Sequence, residues 1–501
     1  MKEIIILFTR VPKEGSTKTR LYDFLSPKQA VILQEKILQE LFNNLKSWNF
    51  EVKVFHNGNE NDDNYMKNLL STNDSFYYQV GGTLGDKMEN ALAEVLKENE
   101  NAKVLLMGSD IVGVNKENID KCFDELNKVD VVVNPTYDGG YYLIGMNRLL
   151  DNIFNISEYG VDSVFEKTIK NIEQSGYSYF IGDKCLDIDT KEDLLTYVTK
   201  LNNINLLGSG EYNINFLYDY TQDEKRILRL NMKSQMNLSR QIKYEYETLK
   251  MLENSGVTPK VYEINEDKYL IPYDYLTMEY LDGRVLNYNT DMDIAAYLLS
   301  TIHNTPFENN GKLIEAQDPF TLMYEECSMM VGEYLSWDKA DVEVKNYIRK
   351  FLNICEDLLS KNLEVGNFCI INTELNSGNF IIGQDKYTSY VIDWEKALIG
   401  ECEQDLAHFL APTTTFWKTD KILNTNEINE FLNEYSKYRS FNKEKFDKYL
   451  IFTCLRGVTW CSMAYRQYSE NSKMLKDEFT FNKIKSYLEY DFLANIERYF
   501  N

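Results

Sequence analysis

The segment FTRVPKEGSTKTRL (8–21) holds Gly15, Ser16, Thr17, Lys18, Thr19 and Arg20 between an apolar run and a helical pattern. These types suit phosphate: glycine lets backbone N–H groups approach the oxygens, while Lys and Arg neutralise their charge. A solvated loop with four basic residues is the competing reading. Later segments tilt the balance. GGTLGDKM (81–88) sets Gly81 and Gly82 at a helix start, and Gly108-Ser109-Asp110 leaves a carboxylate at a strand end. PTYDGGYYLIG (135–145) and LDIDTKEDL (186–194) add Asp138, Gly139, Gly140, Asp187 and Asp189. Mg²⁺ takes one or two carboxylates plus phosphate oxygens and water, so Asp110 could hold a nucleotide-bound ion. Each carboxylate alone is more often a turn or cap residue. Their joint placement carries the argument.

A second phosphate-handling set lies further on. LLGSGEYNINFLY (206–218) is a glycine turn between two strands, so Gly208, Ser209, Gly210 and Asn213 are expected over a nucleotide. Arg229 follows on the next strand and Glu245 early on the next helix, a pair suited to steadying α/β-phosphates. A surface ion pair is the bland alternative. TMEYLDGR (277–284) reads as a hinge that brings Glu279 and Tyr280 to the nucleotide. Asn379 and Asp393, separated by strand–turn–strand, suit Mg²⁺ on ATP. Trp394, Trp417, Trp460 and Tyr465 stand near Glu395 and Glu403, as an amine acceptor would require through cation–π attraction. Aromatic residues at helical spacing are nonetheless more often core. His303 and His408 are read as helix-packing residues and His56 as a loop residue.

The elements that must position these groups fall into two textures. Before residue 200, apolar runs (Ile4–Phe8, Glu51–Phe55, Ala102–Met107, Val129–Val133, Tyr141–Ile144) alternate with helical stretches at about 27–45, 84–98 and 116–127. Ser26-Pro27 opens the first helix as cap and first-turn proline. This predicts an α/β domain with a mainly parallel sheet. A polar, glycine-containing joint near 200–208 leads to alternating strands, a helix from about Leu238 to Asn254, and a mostly helical remainder.

The first motif set resembles the radical-SAM/selenodomain-associated transferases, GT-A-like proteins more distantly similar to 2-phospho-lactate guanylyltransferase. That resemblance covers about residues 1–200 and implies a GT-A-like (Rossmann-like) fold binding a nucleoside triphosphate or nucleotide-sugar. It implies that Lys18 and Arg20 grip phosphates, Gly81 and Gly82 lie against the base, and Asp110 and Asp189 hold Mg²⁺, with Asp138, Gly139 and Gly140 at the substrate. The second set resembles the choline kinase and aminoglycoside phosphotransferase family, a bilobed protein-kinase-like α+β fold. The expected domains are 1–203 and 206–501, the latter with a small lobe at about 206–281 and a helical lobe at about 282–501. The family's His-x-Asp-x-x-x-x-Asn reads here Asn372-Thr373-Glu374 followed by Asn379. Glu374, at the position of the catalytic Asp, reaches roughly 1.5 Å further. A displacement of that order can cost about 10²-fold. Arg229 stands where Lys is common, and retention of Asn379, Asp393 and Glu245 favours an active kinase over a pseudokinase.

The chain has 501 residues, too many for one ordinary core. It is 44% hydrophobic and 26% charged, which excludes disordered and fibrous classes. The net charge is −24, with 22 basic against 32 acidic residues in residues 1–200 and 32 against 46 after them. Polyanion binding needs clustered positive charge, so nucleic acid is not an expected partner. No apolar run reaches about 18 residues, so membrane insertion is not expected, and eight scattered cysteines with three histidines suit a cytoplasmic protein without zinc. Together these readings predict a bifunctional transferase. A kinase would phosphorylate a small alcohol or amino alcohol with ATP-Mg²⁺, with Trp394, Glu395 and Trp460 at the acceptor. A nucleotidyltransferase would then use a second NTP, such as CTP, on the product. A glycosyltransferase in the N-terminal half and a ligand-binding pseudokinase in the C-terminal half are the alternatives.

Overall fold

Five consecutive apolar residues, Ile4 to Phe8, suit a strand covered on both faces. In the computed structural model they form the middle of β1 (Lys2–Thr9). The structure describes residues 1–268, 270–361, 366, 368–470 and 478–500. The chain divides into two units, one from Met1–Asn205 and Lys268–Pro272, the other from Leu206–Asp267 and Tyr273–Asn501.

In the first unit β1 is followed by α1 (Pro27–Ser47), β2 (Glu51–His56), α2 (Glu60–Leu70), β3 (Tyr77–Tyr78), α3 (Leu84–Glu98) and β4 (Ala102–Gly108). Then come β5 (Ile111–Val112), α4 (Lys116–Glu125), β6 (Val131–Pro135), β7 (Tyr141–Met146), α5 (Val164–Gln174), β8 (Tyr179–Ile181), β9 (Leu186–Asp187) and α6 (Lys191–Thr199). Side chains alternate across a strand. Ile5 and Leu7 accordingly pack with Leu38, Leu41 and Leu45 of α1, and Ile4, Ile6 and Phe8 with Met88, Leu92 and Val95 of α3. Both helices start at reciprocal caps, Ser26 with Gln29 and Thr83 with Asp86. The sheet order is β3-β2-β1-β4-β7-β6-β8. Only β7 runs antiparallel to its neighbours. β1 lies between β2 and β4, so the carboxyl ends of β1 and β4 flank the switch in strand order, where ligands of open α/β sheets bind. His56 is not in a loop. It ends β2, fully buried between the Phe76 and Tyr78 rings, with Nε2 3.1 Å from Asp63 Oδ1.

The chain passes through β10 (Asn202–Ser209) into β11 (Asn213–Asp219), β12 (Lys225–Asn231), α7 (Gln241–Leu252), β13 (Val261–Asn265) and β14 (Asp274–Glu279). These strands form a sheet ordered β10-β11-β12-β14-β13. A largely helical region follows: β15 (Arg284–Val285), α8 (Met292–His303), α9 (Pro319–Leu335), α10 (Val342–Leu359), β16 (Phe368–Ile371), β17 (Phe380–Ile382) and β18 (Tyr390–Val391). It ends with β19 (Leu398–Glu401), α11 (Cys402–Leu410), α12 (Pro412–Thr419), α13 (Thr425–Ser436), α14 (Lys443–Glu470), α15 (Glu478–Ser486) and α16 (Tyr490–Glu497). Its core joins Leu299, Ile348, Phe409 and Leu455 from α8, α10, α11 and α14. Two short sheets, β15-β17-β18 and β16-β19, carry the loops that hold Glu374, Asn379 and Asp393. Among the described residues no helix is long and apolar enough to cross a membrane.

Candidate active sites

In the first unit, acidic residues converge at the carboxyl ends of β1 and β4. β9 pairs antiparallel with β5, setting Asp187 opposite Ile111, and Ile188 N donates to Asp110 O at 3.1 Å. This ties the Asp-Ile-Asp segment to the strand end that carries Asp110. Carboxylate oxygens of Asp138, Asp187 and Asp189 all lie within 4.8 Å of one another. Lys18, in a left-handed turn, has its ammonium 3.9 Å from both Asp110 and Asp189 and donates to Ile188 O. Arg20 Nη1 donates to Asp189 Oδ2 at 2.8 Å. Burial pushes Asp187 up to about 7, helped by the charges of Asp138, Asp189 and Asp110. Asp189 is raised too, chiefly by burial, with Lys18 and Arg20 opposing. Crowded, hard oxygen donors of one sign fit a divalent cation such as Mg²⁺. The three oxygens that converge come from Asp138, Asp187 and Asp189. Asp110, expected as a ligand, joins them through Lys18, and Asp138 belongs with the converging carboxylates as well as the expected substrate turn.

The neighbouring loops are shaped by their own residues. Thr17 Oγ1 accepts from Lys13 N at 2.8 Å, Ser16 Oγ donates to Lys13 O at 3.3 Å, and Gly15 N donates to Tyr22 OH at 3.0 Å. Those two hydroxyls thus close the turn that precedes Lys18. Gly81 has φ +146, and a Cβ there would lie 2.8 Å from Lys87 N, so this glycine is required by the start of α3. Gly82 follows before the Thr83 cap. Asp138 accepts from Thr136 Oγ1 and from Gly140 N, and a Cβ on Gly139 would lie 2.0 Å from Asp162 O. Gln79, not singled out from sequence, donates to Thr9 O at 2.7 Å and to Phe55 O at 3.2 Å, bracing the ends of β1 and β2.

In the second unit Arg229 of β12 is buried among carboxylates. Its Nε donates to Glu245 at 2.9 Å, Nη2 to Asp393 at 3.1 Å, and Glu395 lies at 3.6 Å. Glu245 is pushed up to about 7 by burial, opposed by Arg229 and reinforced by Asp393 and Glu395. Arg229 borders a cavity of about 340 Å³, walled by Leu207, Ile227 and Met278 and reached by Glu279, Tyr280 and Asp393. Asp393 has φ +68 and a half-exposed carboxylate. Asn379, buried beside it, accepts from Asn376 N at 3.0 Å. The Asp393 carboxylate, paired on one oxygen with Arg229, and the Asn379 amide oxygen are donors that fit Mg²⁺. The Gly208–Gly210 turn is exposed and closes through Gly210 N to Asn213 O at 2.9 Å. Asn213 is buried; it donates to Glu395 and accepts from Asn231 at 2.9 Å, so it holds protein rather than a ligand.

A second cavity, of about 520 Å³, is lined by Glu374, Lys396, His408, Thr414, Arg456 and Trp460, among others. Lys396 makes a close ion pair with Glu374. The loop carrying Glu374 is anchored by buried Asp405, which accepts from Asn372 N at 2.7 Å and Thr373 N at 2.8 Å and faces His303 Nε2 at 3.3 Å. Asn372 Nδ2 donates to Asp393 O at 2.7 Å, linking the two expected catalytic segments. Trp417 and Trp460 meet edge to face at 5.6 Å. Trp394 and Glu395 do not line this cavity: Trp394 is core, its Nε1 donating to Val391 O at 3.0 Å, and Glu395 is held by Asn213. Tyr465 stacks on Phe481 and is not among the lining residues either. Lys396, Asp405 and Arg456 were missed in sequence because their partners lie far along the chain.

His408 lines the cavity and is pushed down to about 3 by burial, with Arg456 and Lys396 adding to the shift. It stays neutral in the fold but takes a proton when unfolded below about 6.5. The stability it contributes is therefore present above about 6.5 and falls as pH drops toward 3. His408→Gln is expected to flatten the loss of urea midpoint between pH 7.5 and 5; an unchanged slope contradicts this.

Residues 203–443 match the phosphotransferase enzyme family, and residues 40–161 match a family described as an uncharacterized protein conserved in bacteria (DUF2064). The chain is a transferase in which one region resembles each of these families. The N-terminal region of this fused transferase is similar to 2-phospho-L-lactate guanylyltransferase of Methanocaldococcus vulcanius, 25% identical over 193 residues, covering 38% of this chain and 82% of that protein. A solved structure from Desulfovibrio desulfuricans G20, described provisionally as a nucleotide-diphospho-sugar transferase, is 26% identical, covers 40% of this chain and 90% of its own, and has a TM-score of 0.38. Spectinomycin phosphotransferase, solved with ADP and spectinomycin, is 13% identical, covers 61% of this chain and 95% of its own, and has a TM-score of 0.46.

Proposed function

We propose that the second unit phosphorylates a small hydroxyl compound with ATP-Mg²⁺ and that the first transfers a nucleotidyl group from an NTP to the product. The observation that carries the kinase step is the Asn372 bridge: its side chain accepts from Glu374 N at 3.2 Å and donates to Asp393 O at 2.7 Å, tying the two segments together. Glu374 accepts the acceptor's hydroxyl proton while the new P–O bond forms and the bond to the ADP oxygen breaks. Lys396 pairs with this carboxylate and fixes it, and Arg229, steadied by Glu245, orients the α/β-phosphates. Asp393 and Asn379 would hold Mg²⁺, which supplies charge neutralisation on the phosphates. Gly208, Ser209 and Gly210 cover the nucleotide, and Glu279 and Tyr280 border its base.

In the first unit Lys18 and Arg20 hold the triphosphate, and Asp110, Asp138, Asp187 and Asp189 would hold Mg²⁺. Gly81 and Gly82 lie against the base. The attacking group is already a phosphate, so positioning and charge neutralisation suffice without a protein base. Nucleotidyl transfer is supported by the guanylyltransferase similarity, which makes GTP the donor to test beside CTP. The product is a nucleotide-linked head group of the kind used in surface polymers, glycans or lipids. Fusion raises the local concentration of the intermediate. All eight cysteines are buried and unpaired, which supports a reducing, cytoplasmic setting.

The test is incubation of the full chain with ATP, GTP, CTP and candidate hydroxyl compounds, read by mass spectrometry. A phosphorylated acceptor, its nucleotide conjugate and released diphosphate are expected. Finding neither product overturns the reading, and transfer from a nucleotide-sugar instead assigns glycosyl chemistry to the first unit.

A further inference from the structure

The charges lining the 520 Å³ cavity do not suit a cationic acceptor. Glu326 accepts from Arg456 with both oxygens, at 2.9 Å from Nε and 3.2 Å from Nη2. Glu374 is bound on one oxygen by Lys396, and its other oxygen is the one left for the reacting hydroxyl. No carboxylate remains to meet an ammonium group, which would also face Lys396 and Arg456 as like charges. The unengaged groups are of another kind. A guanidinium has five donors in a planar fork. Glu326 uses only the Nε/Nη2 side of Arg456, which leaves the Nη1/Nη2 edge without a hydrogen-bond partner among the described residues, with Glu374 acting on the guanidinium only as a nearby charge. Thr414 and His408 line the same cavity, and neither side chain has a hydrogen-bond partner among the described residues.

We propose that the acceptor is a small hydroxy acid whose carboxylate docks on the free edge of Arg456 while its hydroxyl meets Glu374. A planar carboxylate matches that edge with two parallel hydrogen bonds. The Thr414 hydroxyl and the neutral imidazole of His408 serve the remaining polar atoms. The Trp417 and Trp460 rings line the same cavity. This inference rests on the kinase reading above and narrows its substrate class.

The experiment uses the full chain with ATP-Mg²⁺ and three acceptor sets: glycolate, lactate and glycerate; ethanolamine and choline; and glycerol as the neutral control. Hydroxy acids are expected to be phosphorylated. Arg456→Gln is expected to raise their KM roughly 10- to 100-fold, as lost charged hydrogen bonds would, with kcat little changed. Glu326→Gln, which keeps the guanidinium and removes its competitor, is expected to lower the same KM. Preference for the amino alcohols or glycerol overturns the inference and leaves the kinase reading standing. So does an Arg456→Gln effect that falls equally on kcat and on every acceptor. Failure to phosphorylate any acceptor overturns the kinase reading, and this inference with it.

Discussion

Asp393→Ala is expected to lower ATP-dependent phosphorylation by about 10³-fold or more, the scale of losing an aligned charge-stabilising group. Its carboxylate is half exposed and borders the 340 Å³ cavity, so the fold loses little when it is removed. Arg229 retains Glu245 at 2.9 Å, and the buried pair that organises β12 and α7 survives. The melting temperature should move by only a few degrees, roughly 1 kcal/mol of stability. Glu374→Ala should reduce kcat by about 10²- to 10⁴-fold, the range for general base catalysis. ADP formation with the acceptor panel reads both effects. If neither variant changes ATP turnover, the second unit is a ligand-binding pseudokinase.

Asp189→Asn is expected to have the comparable effect on the first unit, cutting diphosphate release from NTP by about 10³-fold. Asp189 meets Arg20 at 2.8 Å, lies 3.9 Å from Lys18 and shares the convergence of Asp138 and Asp187. The amide keeps the shape and removes the charge that aligns both cations. The two activities should also separate. Asp189→Asn should leave acceptor phosphorylation intact, and Asp393→Ala should leave diphosphate release intact when phosphorylated acceptor is supplied. Loss of both activities from either single change would contradict independent catalytic units.

Much of the scaffold was legible because local chemistry set it. α3 spans Leu84–Glu98, the stretch read from periodicity, and α1 begins at Pro27 behind its Ser26 cap. The run Ile4–Phe8 became a strand buried on both faces, since a continuous apolar run has no polar side to expose. Arg229 and Glu245 could be paired because a strand and the next helix bring them together after 16 residues. His56 was misplaced because a polar residue at a strand end reads as loop, whereas Asp63 and two aromatic rings bury it.

The 520 Å³ cavity was the least legible part. Trp394 and Glu395 read as an acceptor pair because an aromatic face beside a carboxylate suits an amine, but neighbours in sequence need not face one cavity. Trp394 turns into the core and Glu395 toward Asn213. The contacts that define the site span long separations: Glu374 with Lys396 across 22 residues, Asn372 with Asp405 across 33, and Glu326 with Arg456 across 130. The sequence by itself determined two motif sets, the alternation of elements in the first half and the likeness of each half to a different family. These depend on residue types and short spacings, which capping, turn chemistry and hydrophobic periodicity express locally. Only the tertiary structure decided which carboxylates converge, which are neutralised by a buried cation, and which cation keeps a free edge. Those outcomes depend on distance and burial across the fold, because charge pairing acts over a few ångströms regardless of chain separation.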